Sequence, residues 1–236
     1  MFRCGCLRAA SQREQCNTPG HKCTAKGEVG GMGEGLAEEI FSLSLEHVEM
    51  VAITIAIAAA LALPAGVLLA RRKGGQRWAV GFANIAQTIP SLALFGFLVP
   101  LPWIGGIGKR TAIVALCLYA LLPILRNTLL GILGVDAGVR ESAVAMGMTE
   151  RQILWEVELP LAAPSIVAGL RLATVATIGT ATIAAAIGGG GLGVFIFRGI
   201  SMVDTPTVLA GALPAALMAL AADGGLAWIE RRLSPG

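Results

Sequence analysis

Charge is scarce in this sequence. Asp, Glu, Lys and Arg make up only 14% of its 236 residues, against about 25% in an average soluble domain. Aromatic residues are also few, at 5%, and histidine occurs twice, as His21 and His47. Four of the five cysteines crowd into the amino-terminal segment, which excludes a disulfide-stapled secreted domain. No G-x-x-x-x-G-K-[ST], H-E-x-x-H, G-x-S-x-G or paired-carboxylate arrangement occurs, so the chain offers no nucleotide hydrolysis, zinc-protease or serine-hydrolase chemistry. What it does have is hydrophobic mass: 55% of residues are apolar, which excludes a disordered chain and argues against a soluble enzyme.

The few charges lie in clusters, and the gaps between them have membrane dimensions. Met50 to Ala70 is a run of 21 residues without a charge, long enough to cross a hydrocarbon core of about 30 Å as a helix. The pattern predicts five spans, at about 48–70, 79–98, 111–135, 161–187 and 205–229. The second is followed by a turn rich in Pro and Gly, the fourth stops at Gly188 to Gly191, and Arg171 and Asp223 lie inside spans four and five. Backbone groups in lipid must pair internally and these runs are too long for barrel strands, so the class is an all-α integral membrane protein.

Sorting the basic residues orients the chain. Arg71, Arg72, Lys73, Arg77, Arg140, Arg151, Arg231 and Arg232 fall on one side of alternating spans, and Lys109, Arg110 and Arg198 on the other. The positive-inside bias makes the first side cytoplasmic, with the amino terminus outside and the carboxyl terminus inside. Residues 1–31 conflict with this, because they hold five basic and two acidic residues, the whole formal charge of +3. Cys4, Cys6, Cys16, His21 and Cys23 do not follow zinc-site spacing. This polar segment reads as a disordered tail, or as sequence upstream of a start at Met32; residues 32–236 form the transmembrane domain.

The polar stretch 137–158 between spans three and four carries the most specific signal. Glu141, Ser142, Ala143, Gly147, Val157, Leu159 and Pro160 stand in the spacing E-A-A-x3-G-x9-I-x-L-P, with Ser142 and Val157 as departures. Small residues on a short helix leave a low surface for a partner's groove, and Gly147 permits a sharp turn into a second helix. Leu159-Pro160 is expected to end that helix and redirect the chain into span four. The pattern resembles the EAA motif of ABC importer permeases. Gln87-Thr88-Ile89-Pro90-Ser91-Leu92-Ala93-Leu94, Leu121 to Thr128, and Ile178 to Thr182 with the following glycines are similar to the osmoprotectant branch, for glycine betaine, choline or carnitine.

The resemblance implies a MetI-like ABC permease fold, about five transmembrane helices plus a cytoplasmic coupling helix. It also implies an ATPase subunit that binds the ATP, a second permease subunit as homo- or heterodimer, and a substrate-binding protein. Nucleic acid is not an expected partner, and neither a cofactor nor a metal is expected in this chain. Glu141, Ser142, Ala143, Gly147, Leu159 and Pro160 would couple to the ATPase. Gln87, Pro90, Ser91, Arg126, Asn127 and Thr180 are candidates for the translocation path. Arg126 is costly at membrane depth unless it faces water or a partner, or instead snorkels or pairs with Asp136; Arg171 reads as a snorkelling cation.

Gly188, Gly190 and Gly193 fit G-x-G-x-x-G but follow no strand, so they read as a helix break rather than a dinucleotide site. A quaternary ammonium ligand calls for an aromatic cage, whereas Trp78, Trp103, Trp155 and Trp228 fall near span ends as interfacial anchors. Tight recognition is therefore expected elsewhere. The competing readings are a permease for another small solute such as methionine, and an ion-driven carrier, which the shortage of intramembrane acids disfavours.

Overall fold

The computed structural model describes residues 29–71, 81, 88, 90–100 and 106–233. The chain divides into two compact units, Met1–Ala37 and Glu38–Gly236, and the second carries the helical bundle. Helix α1 covers Val29–Arg71, α2 Ser91–Leu98, α3 Lys109–Leu133 and α4 Ala137–Ala145. A three-residue helix, α5 (Glu150–Gln152), runs through a π-helical stretch, Ile153–Glu158, into α6 (Leu159–Ala184) and a closing 3-10 turn, Ala185–Ile187. Helices α7 (Gly193–Met202) and α8 (Thr205–Leu233) complete the order.

Four of these helical stretches, Gly35–Arg71, Lys109–Leu133, Glu150–Ile187 and Thr205–Leu233, are long and apolar enough to cross a membrane. They overlie expected spans one, three, four and five. Of the span expected at 79–98, residues 81, 88 and 90–98 are described, with α2 as its final part. Of the expected tail 1–31, only residues 29–31 are described, and they begin α1. Between the last two long helices lies the ten-residue apolar α7, which is too short to span.

The bundle is built on close backbone approach. At Gly169 of α6 a Cβ would lie 2.6 Å from the Cβ of Asn127 on α3, and at Gly131 of α3 it would lie 2.9 Å from the Cβ of Ser165 on α6. Gly66 brings α1 equally near, 2.8 Å from a methyl of Thr128. In lipid no hydrophobic gain separates one apolar helix from another, so packing between small residues has to supply the association. The buried cluster of Ala58, Ala62, Ala120, Ile124, Leu125 and Ala173 continues this small-residue seam between α1, α3 and α6. A second cluster, with Met50, Phe95, Leu98, Leu116 and Ile178 among its members, ties in α2. Buried hydroxyls are satisfied locally: Thr54 donates to the Met50 carbonyl at 2.8 Å and Thr128 to that of Ile124 at 2.8 Å.

The glycine break after α6 is confirmed: Gly188, Gly190 and Gly191 have φ of 76°, 78° and 71°, a left-handed backbone that side chains resist. The turn is pinned where Gly191 N–H donates to Glu46 Oε2 at 3.2 Å.

Gly169→Leu is expected to push α3 from α6 and destabilise the protein by about 1–3 kcal/mol. Gly224→Ala, where a Cβ meets nothing within 4 Å, should be neutral or slightly stabilising. Thermal unfolding in detergent checks both.

Candidate functional site

The polar stretch after α3 folds into a compact loop standing off one end of the bundle. Asp136 caps α4, its Oδ1 accepting from Gly138 N–H at 2.8 Å and Val139 N–H at 3.2 Å. At the other end Met148 N–H donates to the Ala143 carbonyl at 3.2 Å and Gly147 N–H to that of Val144 at 2.9 Å. These two bonds are a Schellman motif, and they require a left-handed residue where Gly147 sits with φ 81°. Thr149 and Gln152 then form a capping box that starts the next helix. Two short helices joined by a glycine turn therefore follow from local residue chemistry, as expected.

Two details depart from expectation. Ala143 is turned inward and only 1% exposed, so the outward surface is made by Glu141, Ser142, Val144 and Met146, the last 74% exposed. The hydroxyl of Ser142 folds back onto the Gly138 carbonyl at 2.7 Å. Leu159-Pro160 does not end a helix: Glu150 to Ile187 is continuous over 38 residues. Pro160 occupies the first turn of α6, and the π-helical stretch ahead of it widens the backbone where proline lacks an N–H and needs room for its ring.

The same stretch buries a carboxylate. Glu158 is 2% exposed and accepts Arg71 Nη2, from the last residue of α1, at 3.1 Å. Its other oxygen lies 3.4 Å from Arg140 Nε on α4. Glu150 repeats the pattern, at 2.7 Å from Arg71 Nη1 and 3.8 Å from Arg140 Nη2. Sequence reasoning missed this set because Glu158 fills an unspecified position of the motif; its one signal was a lone acid between Val157 and Leu159 at a span boundary.

The path candidates are spread out. Pro90 precedes α2 and Ser91 begins it, while Gln87 lies outside the described residues. Arg126 is exposed on α3 and has no ion pair among the described residues; its expected partner Asp136 is engaged as a helix cap. Asn127 Nδ2 donates to the Pro123 carbonyl at 2.9 Å, beside Gly169. Thr180 donates to the Ala176 carbonyl at 2.9 Å, and at about 1.5 Å per residue it lies about 16 Å along α6 from the level of Arg126. The described residues do not gather these side chains into one site.

Arg171, expected as a snorkelling cation, is paired with two carboxylates. Its Nε lies 2.6 Å from Asp223 Oδ1 and its Nη1 3.1 Å from Glu230 Oε2, so α6 is bolted to α8. At the opposite end of the bundle Lys109 pairs with Glu49 at 3.0 Å and approaches Glu46 at 3.9 Å, and Arg198 meets Glu39 at 3.1 Å. Acidic residues of α1 thus pair with Lys109 and Arg198, two of the three cations of the smaller basic set. Trp155 and Trp228 are exposed, and Arg232 lies over the Trp228 ring at 5.1 Å; Trp78 and Trp103 lie outside the described residues. A groove between α1, α6 and α8, lined by His47, Val51, Ile55, Ile178, Met218 and Leu226 among others, has no Phe, Tyr or Trp among its described lining residues.

Long apolar helices around glycine contacts, with a charged two-helix loop at one end, define a polytopic helical membrane protein of the permease class. The chain belongs to the family of binding-protein-dependent transport system inner membrane components, whose pattern matches residues 62–235. The choline transport system permease protein OpuBB of Bacillus subtilis is 45% identical over 197 residues, 84% of this chain and 89% of that protein. The carnitine transport permease protein OpuCD of Listeria monocytogenes is 47% identical over 190 residues, 80% of this chain and 84% of its own length. Among solved structures, the MetNI methionine ABC transporter in an inward-facing conformation shares the fold with a TM-score of 0.77 at 24% identity, covering 86% of this chain and 99% of that one.

Removing the Arg171 guanidinium leaves Asp223 and Glu230 without the cation that they share. Arg171→Met is expected to lower the melting temperature in detergent, and adding Asp223→Leu to change it by less than the sum of the single effects, as a double-mutant cycle would record.

Proposed function

We propose that this chain is the permease subunit of an ATP-driven importer for osmoprotectants of the glycine betaine, choline or carnitine type. The loop 137–158 carries the reading: a capped, glycine-turned pair of short helices presents Glu141, Ser142, Val144 and Met146 outward, a surface shaped for a partner's cleft. The partner is a cytoplasmic ABC ATPase subunit. It binds and hydrolyses ATP, and this chain contributes no catalytic group. Basic residues concentrated at the loop end make that end cytoplasmic, with the amino terminus outside and the carboxyl terminus inside the cell membrane.

The substrate class rests on relatives named for choline, carnitine and glycine betaine at 45–47% identity. Quaternary ammonium compounds bind tightly in aromatic cages, and twelve aromatic residues in the whole chain suit a weak path better than a cage. A separate substrate-binding protein supplies affinity, and a second permease subunit, identical or related, completes the path. Pro90, Ser91, Arg126, Asn127 and Thr180, with Gln87, are the side chains we assign to it. ATP-driven displacement of the loop shifts the balance between outward- and inward-open states, as alternating access requires.

Gly147→Asp separates docking from folding. A Cβ there meets nothing within 4 Å, and Asp tolerates a left-handed backbone better than most residues, so the loop survives at a cost of about 1 kcal/mol. Its carboxylate then projects beside the docking face. Membrane insertion should be normal and uptake of labelled betaine, choline and carnitine abolished; normal uptake would refute the docking role. Competition by unlabelled methionine in the parent protein should be absent, and strong competition would reassign the solute.

A further inference from the structure

We propose that Glu158 is a positioning residue: with Arg71, Arg140 and Glu150 it forms a rigid joint that makes α1 move with the loop α4–α5. The inference rests on the coupling role assigned to that loop and adds the route by which its movement enters the membrane. Each oxygen of the Glu158 carboxylate meets a different element, Oε2 the end of α1 and Oε1 helix α4. Arg71 holds α5 twice more, through the Glu150 carboxylate and, at 3.0 Å, the Glu150 backbone carbonyl. Two cations and two anions close a neutral ring. It joins the last residue of one membrane helix, both loop helices and the junction with the next membrane helix.

Burial decides between a joint and a latch. A latch must open in each cycle, and an ion buried as deeply as Glu158 cannot shed both partners without stranding its charge in the interior. The pairs therefore stay closed, and a push on α4 is delivered to Arg71. The π-helical backbone of 153–158 fits this role. Its wider turn is the soft point of the 38-residue helix, so the ring braces the place where that helix would otherwise yield.

The test uses the assembled transporter, with its ATPase subunit and binding protein, in proteoliposomes. ATP hydrolysed per solute imported is measured with radiolabelled betaine. Glu158→Gln keeps shape but leaves two guanidinium groups facing a neutral amide, and ATP per solute is expected to rise at least about fivefold, the lower end of coupling between sites. Glu156→Gln, two residues away and exposed, should not alter the ratio. A purely stabilising role would lower the amount of transporter without changing its ratio.

The second arm cross-links Arg71→Cys to Glu150→Cys with a short bis-maleimide, in a background without the native cysteines. The two cysteines themselves break the ring, so a rigid joint predicts that the covalent link restores ATP per solute toward the parent ratio, whereas no recovery, or loss of uptake on cross-linking, would overturn the proposal. This arm decides the matter if Glu158→Gln fails to assemble. An unchanged ratio in Glu158→Gln with uptake still lost in Gly147→Asp removes the joint and leaves the coupling reading intact. Normal uptake in both variants removes the coupling reading itself.

Discussion

The whole bundle depends on α3 and α6 touching nearly backbone to backbone. Gly131 and Gly169 leave no room for a side chain, and Ser165 donates across the seam to the Asn127 carbonyl at 3.0 Å. Between apolar helices in lipid, contacts of this kind supply what hydrophobic burial supplies in water. The other long helices are placed by the same device. Gly66 seats α1 on Thr128, and Gly211 of α8 lies where a Cβ would be 2.7 Å from the Leu192 carbonyl. The abundance of Gly and Ala in this chain is thus a packing requirement of its solvent.

Charge obeys the complementary constraint. Most ionised groups that the helices retain are paired across elements: Arg171 with Asp223 and Glu230, Lys109 with Glu49, Arg198 with Glu39, and the Arg71–Arg140–Glu150–Glu158 ring. Arg126 departs from this pattern, exposed on α3 with no ion pair among the described residues. An unmatched cation on a membrane helix needs water or a partner surface. That requirement makes Arg126 the most informative of the path residues, although it lies far from the level of Thr180.

The long helices and the two-helix loop were legible because their signals are local. Uncharged runs give span length, Asp136 and Thr149 are caps, and Gly147 is a left-handed turn residue wherever a Schellman motif needs one. The inter-helix pairs were not legible. Arg171 and Asp223 each look like a charge near a span end, and only the register of α6 against α8 makes them partners. Ala143 was misjudged because small size suits a docking face and a buried contact equally, and nothing in the spacing tells which side of α4 packs inward.

The misreading of Leu159-Pro160 is the most instructive, because it concerns how loop and membrane are joined. A proline at a span boundary suggests a break, and a break would let the loop move independently of α6. Inside a continuous helix a proline forfeits one N–H bond and crowds the preceding turn, and the π-helical stretch ahead of Pro160 gives its ring the space it needs. The polypeptide therefore passes from Thr149 to Ile187 without a hinge, and Glu158 lies at the one place where that continuous rod meets both α1 and α4. A soft backbone turn closed by a neutral ring of four charges combines room for proline with stiffness across the junction.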